Sequence, residues 1–259
     1  MNTKSRITQA IVAVLVTVGF VACNTMYDAT GKSPDDIFVQ AKKRFDDNDL
    51  IEAQRLFDII KLQYPASQFA DDAQYHIAEI NFKRKEFIVA AFNYNYVRRL
   101  YSQSEYAKSA LYKAALCYVE LSPPFDRDQD YTRKAIVALG DFQREYPKDS
   151  LAEVATTQIK ELRDKLGERE FRVAEQYRVL LAPKSALVYY DAVIDDYSDT
   201  KFCEPAFVGK VEVLTQLKRS DEALAACALY KRFFPKGELA EKMEALKNAI
   251  PLTEEKAGK

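Results

Sequence analysis

An all-α chain is what this sequence predicts, a superhelical array of about five stacked helix hairpins, and three observations predict it. The composition holds only 7 Gly and 9 Pro in 259 residues, while Ala, Leu, Lys, Glu and Gln recur throughout, the profile of a helical, globular chain. An aromatic followed by Pro or Ser returns at Tyr64-Pro65, Tyr101-Ser102, Tyr146-Pro147, Tyr197-Ser198 and Phe234-Pro235. Twelve positions before each Pro or Ser stands an alanine: Ala53, Ala90, Ala135, Ala186 and Ala223. Four positions after each alanine comes Phe57, Tyr94, Leu139, Tyr190 or Cys227, apolar or aromatic in every case.

The mechanics of this pattern are those of two crossing antiparallel helices. Alanine at the crossing lets the backbones approach, the large side chain fills the groove beyond, and proline ends the second helix and begins the next turn. Small residue, large residue, then aromatic-Pro is the second half of a tetratricopeptide (TPR) repeat. The period is 37 between the first and second anchors and between the fourth and fifth, against about 34 for the usual repeat, so three extra residues go into the turns.

Along the chain, Ser33-Pro34-Asp35-Asp36 opens the first helix, with an N-cap serine, proline at the first helical position and acids where the helix dipole favours them. Asp46 to Asp49, Lys83 to Lys85 and Lys218 to Ser220 read as polar turns inside hairpins one, two and five. Ala73 and Ala78 have their counterparts in Ala110 and Ala115. Ser102 with Glu105, and Ser150 with Glu153, have the spacing of capping boxes. From Ser102 to Pro147 is 45 residues, eight more than the period, and the excess falls in "LSPPFDRDQD", Leu121 to Asp130. From Pro147 to Ser198 is 51, an excess of about four helical turns. Across that gap Ala155, Ile159, Leu162, Leu166, Val173, Tyr177 and Leu180 keep a 3/4 spacing, which predicts one long helix, about Ser150 to Leu181, shared by the third and fourth units. Gly167 is the place where it would bend. The divisions are then 34–149 for the N-terminal half, 150–182 for the connecting helix, 183–250 for the C-terminal half and 251–259 for a flexible tail.

The first nine residues carry Lys4 and Arg6 and no acid, and thirteen mostly apolar residues follow, Ala10 to Ala22. A membrane span needs about 20, so this length fits the apolar core of a secretory signal, residues 1–22. Phe20-Val21-Ala22-Cys23 resembles a bacterial lipobox, where the residue after the cut is a cysteine that receives a diacylglycerol thioether. Cys23 is the expected lipidation site and 23–33 a lipidated linker; an uncleaved anchor and an ordinary signal are the two other readings. Asn24 to Ser33 would separate lipid from the first helix by at most about 35 Å when extended.

Loss of residues 1–22 removes two of the 38 basic residues and none of the 39 acidic ones, leaving a net charge of −3 and no basic footprint for nucleic acid. Cys117, Cys203 and Cys227 are an odd remainder, against a disulfide framework, and each sits in an apolar helical setting that suits a small core residue. On a hairpin turning near Arg219, Cys203 and Cys227 differ in level by roughly 12 Å, too far to pair.

Nothing in the chain has the form of an active site, and no cofactor is expected. G-x-S-x-G, a phosphate-cradling glycine loop and H-E-x-x-H are all absent from the sequence. His76 is the one histidine, with no second His or Cys near enough in sequence to complete a metal site. Acid pairs such as Asp71-Asp72, Asp195-Asp196 and Glu254-Glu255 fit helix ends and the tail. What remains is binding surface. The first helices of units one to three are assigned Phe38, Phe45, Phe69, Tyr75, Phe82, Tyr106, Tyr112 and Tyr118, and aromatic-lined grooves receive extended peptides or partner helices. Tyr75, Phe82 and Tyr112, with Arg98 and Arg99, are the candidates for such a groove.

A lipobox, five TPR-like units, an insertion in the third and a long shared helix together resemble the BamD (YfiO) family of outer-membrane assembly lipoproteins. "DRDQDYTRKAIVALGDFQREYPKDSLAEVA" (126–155), "LRDKLGEREFRVAEQY" (162–177) and "YPASQFADDAQ" (64–74) carry the resemblance, which covers nearly the whole mature chain. It implies a protein on the periplasmic side of the outer membrane that binds POTRA domains of the barrel protein BamA, with other assembly-complex lipoproteins. Its N-terminal repeats would receive unfolded β-barrel substrate and its C-terminal repeats would hold BamA. By position, Asp126, Arg127 and Asp128 match the family's insertion motif, and Phe171, Glu175 and Tyr177 its long helix. Ser102 and Ser198 stand where the family has prolines, Gly167 where it has a better helix former, and Tyr189 where some members present a basic residue towards BamA. Two other classes fit a helical lipoprotein: an envelope or cell-division coordinator, which need not have the insertion or long helix, and a starch-binding type, which displays tryptophans that this chain lacks.

Overall fold

The computed structural model describes residues 26–251; Cys23, the 1–22 segment and residues 252–259 lie outside them. Among the described residues there are eleven α-helices and no strand: α1 Pro34–Asp46, α2 Leu50–Gln63, α3 Ala70–Lys83, α4 Phe87–Leu100, α5 Ala107–Leu121, α6 Asp130–Glu145, α7 Ser150–Val179, α8 Pro183–Asp196, α9 Cys203–Gln216, α10 Ser220–Phe233 and α11 Ala240–Ala249. They form two compact units, one ending at Ile80 and one beginning at Asn81.

The repeat in the sequence is a repeat in backbone geometry. Tyr64, Tyr101, Tyr146, Tyr197 and Phe234 are each the C-cap of the second helix of a hairpin, with φ between −121° and −128° and ψ between 37° and 67°. Each cap N–H still donates to the carbonyl four residues back, so the helix closes its last turn before the chain leaves it. The five alanines are fully buried, and so, nearly, are the five large residues that follow them.

Tight turns inside the hairpins share a second geometry. Asn48, Lys85, Leu181 and Lys218 all have φ between 56° and 61°, and the residue after each donates its N–H five residues back, to Arg44, Asn81, Tyr177 and Leu214. This is the left-handed helix ending that glycine usually supplies. Leu181 therefore stops α7 at Val179, two residues before its expected end.

Helix starts agree in part. Ser33 is the N-cap of α1 and its side chain accepts from the Asp36 N–H at 3.2 Å. The two expected capping boxes are corrected: α5 begins only at Ala107, with residues 102–106 in the preceding turn. At α7 the cap is Asp149, whose Oδ1 accepts from the Leu151 N–H. Phe69 and Tyr106 likewise stand one residue before α3 and α5 rather than within them.

In the first unit Ile37, Ala41 and Phe45 of α1 and Ala53, Leu56, Phe57 and Ile60 of α2 close over Ala73, Ile77 and Ile80 of α3. His76 is buried there, its ring 5.1 Å from both Phe45 and Phe57. In the second unit one cluster joins α5, α6 and the start of α7, and a larger one joins the end of α7 to α8, α9, α10 and α11. Helix α7 is continuous through Gly167. A Cβ there would lie 2.8 Å from the Thr200 Oγ1, so the glycine permits a close approach of Thr200. Cys117, Cys203 and Cys227 are buried, and none of them is in a disulfide.

Candidate functional site

The described residues hold no group of three or more His, Cys, Asp or Glu placed for a metal, and no helix long and apolar enough to cross a membrane. Three places in the second unit are candidates for binding.

The first is a groove of about 440 Å³ over α4, α5 and α6. Leu111, Ala114 and Tyr118 of α5 and Val137 of α6 give it apolar walls, and Arg98, Arg133 and Lys134, with the single acid Asp141, supply its charged lining. Val137 is 64% exposed, so apolar surface faces the solvent here. Arg98 reaches Glu145 at 3.3 Å, Arg133 reaches Asp130 at 3.7 Å, and the Lys134 ammonium lies 4.9 Å from the Tyr131 ring centre. These exposed pairs are weak in water, which leaves the cations available to a competing acid. Such a groove suits an extended apolar segment carrying a carboxylate.

Sequence reasoning placed only Arg98 here. Tyr75 and Tyr112 are each 8% exposed, and neither is among the residues that line the groove. Tyr112 lies against Phe142, and its hydroxyl donates to Gln158 Oε1 at 3.1 Å. Phe82 is half-buried, edge-on to Phe87, and Arg99 is exposed on α4 outside the groove.

The second place is the insertion between α5 and α6. Asp126, Arg127 and Asp128 are all exposed, and Asp128 Oδ1 accepts from the Asp130 N–H at 2.9 Å. The residue that holds the loop is Gln129, buried among them. Its Nε2 donates to the carbonyls of Pro124 and Arg127, and its Oε1 accepts from the Thr132 hydroxyl at 2.7 Å. With Thr132's proton committed, Ser122 Oγ donates to Thr132 at 2.6 Å and in turn accepts from Lys165 Nζ of α7 at 2.8 Å. Burial holds the Lys165 ammonium below its usual pKa. Every polar group of the relay finds a partner, as buried polar groups must.

The third place is where α7 meets α8 and α9. Phe171 packs on Tyr190 and Phe202. Glu175 accepts from the Tyr190 hydroxyl through Oε1 and from Arg178 through Oε2. Arg178 also reaches Glu212 at 2.8 Å, whose other oxygen lies 2.9 Å from Lys242 Nζ. Burial first, and then the hydrogen bond to Glu175, push the Tyr190 hydroxyl above its ordinary pKa, so it stays a neutral donor. Gly209 makes room for that ring: a Cβ would fall 2.4 Å from Tyr190 Cζ. Phe171 and Glu175 are thus internal supports, whereas Tyr177 stacks on Tyr189 at 5.4 Å and 16°, both only half-buried. Past Arg178 come Val179, Leu180 and Leu181, all three exposed, as is Val188. The structure therefore joins Tyr177 and Tyr189 in one pair on the stretch that carries an apolar helix end.

The family described as YfiO, outer membrane lipoprotein, matches residues 30–229. Two proteins named outer membrane protein assembly factor BamD are similar at 25% identity: one from Caulobacter vibrioides over 74% of this chain and 63% of its own length, and one from Neisseria meningitidis serogroup B over 66% and 68%. The chain thus spans less than two thirds of the Caulobacter relative. A solved tetratricopeptide repeat protein from Parabacteroides merdae is similar at 16% identity and a TM-score of 0.37, over 85% of this chain and 76% of that one. The match at 30–229 takes in the insertion, the long helix and four of the five anchors, and the chain belongs to the YfiO family of outer membrane lipoproteins.

Proposed function

We propose that this chain is a non-catalytic scaffold of outer-membrane β-barrel assembly, held by lipid on Cys23 to the periplasmic face of the outer membrane. The observation that carries this reading is the family match across residues 30–229, which spans nearly the whole described array. The assembly-factor name of the curated relatives supports it.

The half-buried Tyr177–Tyr189 pair with exposed Val179, Leu180 and Leu181 is the surface that fits POTRA domains of a BamA-like barrel protein. The groove edged by Arg98, Arg133 and Lys134 fits an unfolded β-barrel segment, and the exposed Asp126, Arg127 and Asp128 offer a polar contact to a further lipoprotein of the complex. The test is co-purification from detergent-solubilised membranes. A tagged copy is expected to bring down the BamA-like protein, and Leu181→Asp with Tyr177→Ala to reduce that capture at least tenfold. Absence of the barrel protein from the eluate, together with normal barrel assembly after depletion, would overturn the reading.

A further inference from the structure

The chain before α1 is a fixed part of the first unit. The Tyr27 N–H donates to Glu52 Oε1 at 2.8 Å, and the Tyr27 carbonyl accepts from Arg55 Nη2 at 2.5 Å. Arg55 returns to both oxygens of Glu52, at 2.7 and 2.8 Å. Further on, the Lys32 carbonyl accepts from the Tyr64 hydroxyl at 3.1 Å, and Ser33 caps α1. Residues 27–33 are thereby laid along α2. Only Asn24, Thr25 and Met26 separate Cys23 from the clamp, a reach of at most about 14 Å between Cys23 and Tyr27, not the 35 Å allowed by ten unattached residues.

Beside the clamp, α2 turns two large apolar side chains to solvent: Ile51 is 79% and Leu62 73% exposed, and Met26, just before the clamp, is 68% exposed. Ile51 and Leu62 are eleven positions apart, which on a helix is about 16 Å along the axis and within about 20° around it. They lie on the side of α2 opposite Ala53, Leu56, Phe57 and Ile60, with the partly exposed Arg55 and Asp58 between them on the same side. We propose that Ile51 and Leu62, with Met26, insert at the lipid surface, so that α2 lies along the membrane and the Glu52–Arg55 clamp sets the angle at which the first unit meets it. The proposal rests on the reading of Cys23 as the lipidated residue. What selects lipid as occupant is chain length: acyl chains on Cys23 hold the Tyr27 clamp, beside the Ile51 end of this face, within about 14 Å of the bilayer, where exposed apolar side chains gain by inserting at the interface.

The chain contains no tryptophan, so single probes are clean. Mature full-length I51W and L62W proteins, purified with their lipid, are placed in vesicles of phosphatidylethanolamine and phosphatidylglycerol with brominated acyl chains. Both probes are expected to be quenched at least twofold by bromolipid and shielded from aqueous iodide. Adding E52Q and R55A to L62W should restore iodide access while the protein still floats with the vesicles and keeps its helical signal. If vesicle-bound I51W and L62W remain open to iodide and untouched by bromolipid, this face serves something other than lipid and the proposal is overturned with the anchor intact. A mature chain whose mass shows no acyl groups on Cys23 overturns the anchor and the proposal together. If the E52Q/R55A variant folds and its probe stays quenched, the clamp has no part in the orientation.

Discussion

Glu52 is a buried carboxylate with three donors around it: the Tyr27 N–H and two nitrogens of Arg55. The hydrogen bond from Arg55 is the main reason its carboxyl is held below the usual glutamate pKa, against the opposing effect of burial. The clamp is therefore at full strength above about pH 4.3, the ordinary glutamate value, and weakens as pH falls through the lower folded value. Glu52→Gln should cost about 1 to 2 kcal/mol and open the peptide bond after Lys32 to trypsin at neutral pH; a linker that stays protected would count against the clamp. Two glycines give a paired test of packing. Gly209→Ala drives a Cβ into the Tyr190 ring and should cost roughly 1 to 3 kcal/mol. Gly140→Ala, inside α6 with nothing within 4 Å of the new carbon, should instead stabilise by roughly 0.5 to 1 kcal/mol. Urea midpoints moving in the same direction for both would refute this account.

Elements of the array were legible in the sequence where one residue reports directly on packing or backbone shape. The aromatic C-caps and buried alanines recur because each hairpin repeats one crossing, so periodicity alone finds Tyr64 and Ala53 or Phe234 and Ala223. Caps were less legible: Asp149 and Ser150 both suit an N-cap, and only the backbone decides between them, in favour of Asp149. Tyr112 is buried although its spacing suits a groove, because α5 packs on both α4 and α6, so spacing alone does not tell which of its side chains face solvent. The insertion shows as eight extra residues, but what holds it was hidden, since Ser122 and Lys165 are 43 positions apart and polar pairing leaves no periodic trace. Thr132→Val tests that element at nearly constant volume. It removes the donor to Gln129 and the acceptor for Ser122, leaving buried polar groups unsatisfied at about 1 to 3 kcal/mol. Amide exchange should rise across residues 122–129 and stay unchanged in α9; an unaltered loop would show that Gln129 holds it through the backbone carbonyls alone.

Stability across the second unit should be graded, because each helix of a repeat array is held only by its neighbours. Helix α9 lies against α7, α8, α10 and α11 and buries Cys203, Ala206, Phe207, Val208, Gly209, Val211, Val213 and Leu214. Helix α11 packs on α9 and α10 and buries Met243. Native-state exchange should therefore be fastest in α11 and slowest in α9. Ala186 is the position that tests how far coupling extends. It is fully buried in α8, its N–H donates to the Ala182 carbonyl at 3.1 Å, and α8 touches α7 on one side and α9 on the other. Ala186→Pro removes that bond and crowds the preceding turn, a loss of about 3 kcal/mol, or roughly a hundredfold in exchange rate for amides that open with it. Nearest-neighbour coupling confines the increase to α8 and the parts of α7 and α9 packed on it, and leaves α4 and α5 at their original rates. A uniform hundredfold rise through α4, α5, α8 and α9 would mean that the unit opens as one cooperative block, and that the long helix transmits strain from the Tyr177–Tyr189 end to the groove at Arg98.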